Sequence, residues 1–400
     1  MKINGTILLI LALATFISWL NYYLLSRLFV FYRGKVSQYM YLGFTVATIL
    51  TLGYGWSIRP PFVDSEHAVY RFLVYGTLAW LVGQIILLLL QPLLAVMHRV
   101  LKGGKVETDA RSTSSLTMTR RNFLHSSLAA APLLSLGVGM KGIYNAQSDM
   151  VVQRHSLHFS NLPANLTGFK IVQISDTHLG PYFDLDKLDT VIALLMKEKP
   201  DIVIITGDFV DDLNLLTSAI ERLNTLQTLI PHGIYFCYGN HEYFRDIEFV
   251  RAELKKSRIH VLENQSALIV PGTQPFYLMG VGYPWAGNFR SGINVSASVR
   301  QQYFATTDQN IPHNAFKVLV GHHPDILIDG FSAQIPLTLA GHTHGGQVMI
   351  GGRSLLASYT YMSGLYQTNG VYGYVSNGTG HWFPFRLGCP PEISVFTLLA

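Results

Sequence analysis

Five short polar motifs in the later part of this 400-residue chain gather the side chains that proteins use for metal-assisted chemistry. They are Asp176-Thr177-His178, Gly207-Asp208-Phe209-Val210-Asp211, Gly239-Asn240-His241-Glu242, Gly321-His322-His323-Pro324 and Gly341-His342-Thr343-His344-Gly345-Gly346. Each is weak alone, since an Asp-x-His triplet or a His pair recurs by chance and a lone His is more often structural. Together they offer imidazole, carboxylate and carboxamide groups, a mixture that suits Mn, Fe or Zn better than Mg or Ca, which prefer oxygen alone. Seven side chains suffice for two ions if one carboxylate bridges them. Two ions about 3.5 to 4 Å apart clamp a phosphoryl group and lower the pKa of a shared water. The neighbouring glycines keep side chains clear of a substrate and permit sharp turns.

Such motifs converge only if a scaffold ends its strands beside them. From about Val151 the sequence alternates short β-branched runs with amphipathic segments, the pattern of βαβ units. Strands are expected at Lys170–Ser175, Asp201–Thr206, Ile234–Tyr238, Ala267–Val270, Phe276–Val281, Phe316–Val320, Leu337–Ala340, Gln347–Ile350 and Ile393–Leu399. Helices are expected at Asp184–Lys199, Asn214–Thr228 and Tyr243–Lys256, with little helix later. Each of the five motifs follows an expected strand, and in open α/β sheets ligands bind beyond the carboxyl ends of strands. About 250 residues are enough for one domain with its own core.

The complete, ordered set resembles the calcineurin-like metallophosphoesterases, and the resemblance covers the chain from about residue 151 to 400. It implies an α/β domain of αββα two-sheet sandwich type. One divalent ion (Mn, Fe or Zn) would be held by Asp176, His178, Asp208 and His344, and a second by Asp208, Asn240, His322 and His342, with Asp208 bridging. His322 is chosen over His323 because the family places its ligand two residues before the proline. His241 matches the family's acid beside the leaving-group oxygen and Asp211 is the residue to orient it, while Glu242 either shares that part or, the favoured reading, has a structural one. The implied reaction is attack of a metal-bridging hydroxide on phosphorus, in a phosphodiesterase or pyrophosphatase. The His342–Gln347 run and the terminal Arg386–Ile393 run are similar to a membrane-associated subgroup. It includes bacterial phosphodiesterases with export signals, UDP-2,3-diacylglucosamine pyrophosphatase relatives and transmembrane proteins with a metallophosphoesterase domain. A lipid-linked nucleotide such as UDP-2,3-diacylglucosamine, and with it lipid A biosynthesis, is the substrate this likeness suggests. Gly282-Tyr283-Pro284-Trp285 departs from the subgroup, where an acidic residue commonly follows the glycine. Its aromatic rings either pack in the core, the favoured reading, or receive a base, a sugar or an acyl chain.

The first 145 residues are of another kind. Apolar residues make up 49% of the chain and charged ones 13%, with a mean hydropathy of +0.27. Residues 1–150 carry 13 Lys and Arg against 5 Asp and Glu, leaving 16 against 19 beyond, so the two parts are +8 and −3. Four membrane spans are expected, at 5–25, 36–58, 72–97 and 122–140, the first three free of charge and long enough for the hydrocarbon core. Lys102–Ser115 is the expected linker between the last two. Residues 119–124, Thr-Arg-Arg-Asn-Phe-Leu, resemble a twin-arginine export signal placed inside the chain. Equally, Arg120 and Arg121 read as cytoplasmic anchors of an ordinary span. Arg27, Arg33 and Lys35 mark one cytoplasmic loop and the basic residues from Arg99 to Arg121 another, while Arg59 and Arg71, diluted by Asp64 and Glu66, mark an external one. The expectation is a multi-pass protein of the bacterial inner membrane, with residues 151–400 on the external, periplasmic face. That side conflicts with UDP-2,3-diacylglucosamine, whose usual processing is cytoplasmic.

The basic excess lies beside apolar segments, so membrane lipid and a phosphate-ester substrate are the expected partners, and nucleic acid is not. Oligomeric state is left open. No P-loop or dinucleotide fingerprint is present. His155, His158, His232, His260 and His313 are assigned surface or capping roles, and His381 is open to substrate contact from an overhanging loop. Cys237 and Cys389 are expected as free thiols. The alternative from another class is a non-catalytic membrane sensor that binds metal or a phosphorylated ligand.

Overall fold

The computed structural model describes residues 5–58, 68–103, 120–148, 150–284 and 297–400. The Lys105 and Arg111 part of the linker, Arg59, Asp64, Glu66, Thr119 and Trp285 lie outside the described residues. The chain divides into two compact units, Met1–Ile143 and Tyr144–Ala400.

The first unit contains α1 (Gly5–Leu28), α2 (Lys35–Ile58), α3 (Ala68–Gly103), α4 (Arg120–Ala129) and the start of α5 (Ala131–Ser148). Among the described residues, Leu8–Leu28 and Phe72–Lys102 are each long and apolar enough to cross a membrane. Leu8, Leu9, Phe16 and Trp19 stand outward on α1, and Asn21 Nδ2 donates to Gln84 O and Oε1 across to α3. Such buried amide pairs hold apolar helices together where no hydrophobic force distinguishes neighbour from lipid. The expected second span is the 24-residue α2, which is not among the helices passing that test. Ser37, Gln38, Thr45, Thr48 and Thr51 dilute its apolar run. The expected fourth span is not one straight helix. It bends by 46° between Ala129 and Ala131 and passes only if both pieces are taken together. Pro132 is the physical cause, because it has no N–H to donate and its ring clashes with the carbonyl four residues earlier.

The second unit is a mixed α/β fold with two six-stranded sheets. The first sheet contains β1 (Val151–His158), β2 (Lys170–Ile174), β3 (Ile202–Ile205), β4 (Ile234–Phe236) and β5 (His260–Val261), with β14 (Glu392–Leu399) inserted between β1 and β2. The second contains β6 (Gln265–Val270), β7 (Phe276–Val281), β8 (Phe316–Gly321), β9 (Leu337–Ala340), β12 (Gly364–Thr368) and β13 (Val371–Val375) in the order β12-β13-β9-β8-β7-β6. The strands β2 to β5 are parallel, as are β7, β8, β9 and β13. A small hairpin, β10 (Met349–Ile350) with β11 (Arg353–Ser354), stands apart.

Side-chain alternation divides the core. Ile171, Ile202, Ile204 and Phe396 of the first sheet meet Phe276, Leu278, Val318 and Leu339 of the second in one buried cluster. Val172, Ile174, Val203 and Ile205, pointing the other way, meet α6 (Leu185–Lys197) and α7 (Leu216–Leu226). Met279, Leu319 and Ala340 likewise turn toward α11 (Ile326–Ser332), with Tyr303 and Phe304 of α10 (Ala297–Asp308) against the same cluster. Period two in the strands thus gives each sheet two apolar faces. Leu188, Val191 and Leu195 supply the matching stripe of α6, whose Asp184 caps its start by accepting from Lys187 N.

The expected helix Tyr243–Lys256 is two helices, α8 (Asn240–Arg245) and α9 (Ile247–Lys255). Asp246 adopts an extended conformation between them and accepts from Phe249 N, which starts the second helix afresh. The expectation of little late helix is corrected by α10 and α11. The sequence reading also missed the β12–β13 hairpin, although Asn369-Gly370, both at positive φ, is the turn such a hairpin needs.

Candidate metal centre

The polar motifs stand at the carboxyl ends of five strands. Asp176 and His178 follow β2, Asp208 follows β3, Asn240 and His241 open α8 after β4, His322 follows β8, and His342 and His344 follow β9. The first three strands belong to one sheet and the last two to the other, so the cluster forms where both sheets end.

The backbone there is unusual. Asp176, His178, Asp208, His342 and His344 all have φ between 49° and 75°, the left-handed region that non-glycine residues rarely enter and that costs about 1 to 3 kcal/mol each. Strain of this kind aims side chains back over the strand ends. Two glycines make room: a Cβ on Gly239 would collide with Asp208 Oδ1, and one on Gly341 with Ser175 Oγ and Asp176 Oδ2.

The side chains converge in two overlapping sets. In one, His178 Nε2 lies 3.1 Å from His344 Nε2 and 4.0 Å from Asp176 Oδ1, with His344 Nε2 3.5 Å from the same oxygen. In the other, His322 Nε2 lies 3.1 Å from His342 Nδ1, 3.1 Å from Asp208 Oδ2 and 3.2 Å from Asn240 Oδ1. Asp208 Oδ2 is also 3.9 Å from His178 Nε2, so one carboxylate borders both sets. Asp176, His178 and His344 form one group able to hold an ion, Asp208, His322 and His342 another, and His178, Asp208 and His241 a third between them. The residues fit divalent cations on their own chemistry. Two pairs of imidazole nitrogens face each other, and their lone pairs, with buried carboxylate oxygens between them, are satisfied together by a cation.

His241 and Asp211 are also brought together, with Nδ1 2.6 Å from Oδ1. Burial opposes the charged form of His241, but Asp208, Asp211 and Glu242 outweigh it and raise the pKa to about 9. Burial likewise opposes ionisation of Asp211, and His178 and His241 outweigh that in turn, holding its carboxyl well below the usual range. Among the described residues, Glu242 is in none of the groups able to hold an ion. Its buried carboxylate accepts from the backbone N–H of Asp208, Phe209 and Gly239, tying the β3 loop to the β4 loop.

His323 is turned elsewhere, its Nδ1 accepting from Asp325 N at 3.3 Å. His381, left open to substrate contact by the sequence, is buried beside Gln147, with 2.9 Å between their Nε2 atoms. His155, assigned a surface or capping role, is half-buried and stacks on Phe396. Tyr283 is buried, its ring centre about 6 Å from those of His322 and His342. Tyr359 was not singled out by the sequence: its hydroxyl lies 3.0 Å from His342 Nε2, the nitrogen opposite the cluster. No spacing signals it, because it sits in an irregular loop. Cys237 and Cys389 are free and buried.

A model of the calcineurin-like phosphoesterase family matches residues 169–346, which span all the cluster residues. Over 293 residues the chain is 30% identical to an uncharacterized metallophosphoesterase, YkuE, of Bacillus subtilis (strain 168), covering 70% of this chain and 98% of that one. It is 29% identical over 291 residues to phosphodiesterase YaeI of Escherichia coli (strain K12), covering 70% and 100%. A transmembrane protein with metallophosphoesterase domain of Bos taurus is 28% identical over 297 residues, covering 72% and 66%. The chain belongs to the calcineurin-like phosphoesterase family.

Proposed function

We propose that this chain is a membrane-anchored phosphodiesterase that works with two divalent ions, and that its second unit is a four-layer αββα sandwich. The observation that carries the reading is the place of Asp208, whose Oδ2 borders both sets of ligand atoms. Asp176, His178, Asp208 and His344 hold one ion in this reading, and Asp208, Asn240, His322 and His342 the other. Two such ions supply a water acidic enough to ionise near neutral pH and offset charge on the phosphoryl oxygens.

The chain's own residues do the rest. His241, oriented by Asp211, donates a proton to the departing oxygen or stabilises its charge through Nε2. Asp211 fixes that ring through Nδ1. Glu242 keeps the loops carrying Asp208 and Asn240 in register. Burial of the cluster excludes bulk water and strengthens each of these interactions.

A lipid-linked substrate is favoured by the surface beside the site. In the β10–β11 hairpin Met349 pairs with Ser354 and Ile350 with Arg353. Met349 and Ser354 turn inward onto Gly345 and Gly346. Ile350 and Leu355 lie on the other face, and they and Leu356 are 61 to 65% exposed. Three exposed apolar side chains on a segment that follows His344, with Arg353 opposite Ile350, suit an acyl chain that bears an anionic head. UDP-2,3-diacylglucosamine is one candidate, with an anhydride in place of the diester, and it requires a cytoplasmic site. The membrane reading rests on the two apolar helices, or three spans if α4 and α5 act as one, and on the transmembrane relatives. External placement of the second unit, and export by a twin-arginine route, are proposals that a reporter fused to the C-terminus tests.

The enzyme reading is tested on the full chain in detergent, stripped by a chelator and resupplied with Mn²⁺, using bis(p-nitrophenyl) phosphate. Hydrolysis that returns with the ion supports it. A chain that takes up the ion and stays inert supports a metal-binding sensor instead.

A further inference from the structure

The terminal run from Arg386 to Ile393 gives no ligand to the cluster, yet Arg386 is fully buried beside it. Its Nη1 donates to His344 O at 2.8 Å, and its Nη2 donates to Gly380 O at 2.7 Å. The same Nη2 lies 2.5 Å from His344 Nδ1, the ring nitrogen opposite the one that faces His178 and Asp176. One guanidinium therefore ties the main chain of a candidate ligand to that of Gly380 and packs against the Nδ1 edge of its ring; with Nε2 keeping its lone pair for an ion, Nδ1 carries the proton, so the hold is on the main chain.

The local backbone explains why a grip is needed. His344, Gly345, Gly346 and Gln347 have φ of 52°, 61°, 69° and 65°, four consecutive residues in the left-handed region. Histidine and glutamine resist that conformation, so the turn persists only if its surroundings impose it. Gly378 also lies against the ring, where a Cβ would come 2.9 Å from His344 Nδ1 and 3.0 Å from Asp176 Cβ. Glu392, from the same terminal run, fixes the segment that carries Gly378 by accepting from Asn377 N and Nδ2. The three N–H bonds of a lysine diverge from one nitrogen and cannot serve both carbonyls in the way that the planar fork of arginine does. By charge alone a buried guanidinium opposes a neighbouring cation, so what Arg386 contributes to metal holding has to be geometric.

We propose that Arg386 is the positioning residue of the Asp176–His178–His344 half of the centre, so that this half alone loses its ion when Arg386 is replaced. The inference rests on the two-ion reading above. Outer partners of ligand histidines typically change metal affinity about 10- to 100-fold, and a loss of that size at one half is expected here.

The test uses the full chain in detergent, stripped and reconstituted with Mn²⁺, with bound metal counted by mass spectrometry and ion–ion coupling read by electron paramagnetic resonance. Arg386→Ala is expected to hold one equivalent fewer than the unaltered chain and to lose the coupled-pair signal. Millimolar guanidinium, and not ammonium, should restore both. Arg386→Lys, which keeps charge and most of the volume, should show the same deficit and serves if the alanine variant does not fold. Full occupancy with an unchanged coupled signal in either folded variant overturns the inference. An unaltered chain that binds no Mn²⁺, or one equivalent only, sinks the two-ion reading itself.

Discussion

Asp211 holds His241 by one oxygen and reaches His178 with the other: Oδ1 lies 2.6 Å from His241 Nδ1, and Oδ2 lies 3.3 Å from His178 Nδ1. Arg245 Nη2 approaches the same Oδ1 at 3.0 Å. The proposed acid and one proposed ligand therefore share a single carboxylate. Asp211→Asn removes its charge while keeping its size. In the chelated chain the His241 resonance should titrate near pH 9, and Asp211→Asn should lower that value, because Asp211 favours the charged ring. The stabilising ionic contribution of His241 is fully present below its unfolded pKa near 6.5 and is lost as pH rises through about 9. Thermal unfolding of the chelated chain should accordingly lose less on going from pH 6.5 to 9.5 in Asp211→Asn than in the unaltered protein.

His241→Ala separates proton donation from metal holding. The ring lies at the rim of the cluster, with Nε2 3.9 Å from Asp208 Oδ2, and no proposed ion depends on it. Metal content should stay at the unaltered level while turnover falls about 10²- to 10⁴-fold, the usual worth of a positioned acid. A substrate whose leaving group is already acidic, such as a p-nitrophenyl ester, should lose less than an alkyl ester. Metal analysis that finds His241→Ala empty removes the assigned role.

The ligand-type residues were legible because chemistry at a strand end needs its side chains within a few positions of the last ladder bond. Asp176, His178, Asp208, His322, His342 and His344 all obey that rule. Tyr359 and Arg386 do not: they reach the cluster through space from 17 and 42 residues beyond His342 and His344. Nor does any residue type announce a left-handed φ when the residue is Asp or His, so the strain at Asp176 or His344 could be seen only in three dimensions. The break at Pro132 was readable in the sequence, since a proline within an apolar run interrupts a helix, but the expected span at 122–140 took no account of it. Strands such as Ile202–Ile205, buried on both faces, were found by their unbroken β-branched composition.

Asp208→Ala should remove metal and turnover together. Its Oδ2 borders both sets of ligand atoms, and its Oδ1 accepts from His241 N at 2.8 Å. Loss of the carboxylate leaves His322 Nε2 facing His342 Nδ1 without an anion between the two sets. Bound Mn²⁺ after gel filtration should fall by more than in Arg386→Lys, where the effect is confined to one half. Retention of the unaltered metal content by Asp208→Ala would contradict the shared-ligand assignment.

Glu242→Ala should act on stability before chemistry. Its carboxylate accepts from Gly239 N at 2.7 Å, Phe209 N at 2.7 Å and Asp208 N at 3.0 Å, all in a buried environment. Truncation leaves three backbone donors without partners, and each buried orphan costs about 1 to 3 kcal/mol. Relaxation and water entering the space recover part of that, so a net loss of about 3 to 5 kcal/mol is expected. Glu242→Gln keeps one acceptor oxygen but turns an NH₂ toward N–H groups, and it should fall between the alanine variant and the unaltered chain. Denaturant unfolding of the chelated proteins measures both losses free of any metal contribution. With saturating Mn²⁺ and temperature held well below the transition, the Gln variant should retain metal and most of its turnover, since the Glu242 carboxylate bonds the loop backbone and is in neither set of ligand atoms. A Gln variant as stable as the unaltered chain yet inactive would instead place Glu242 in the chemistry.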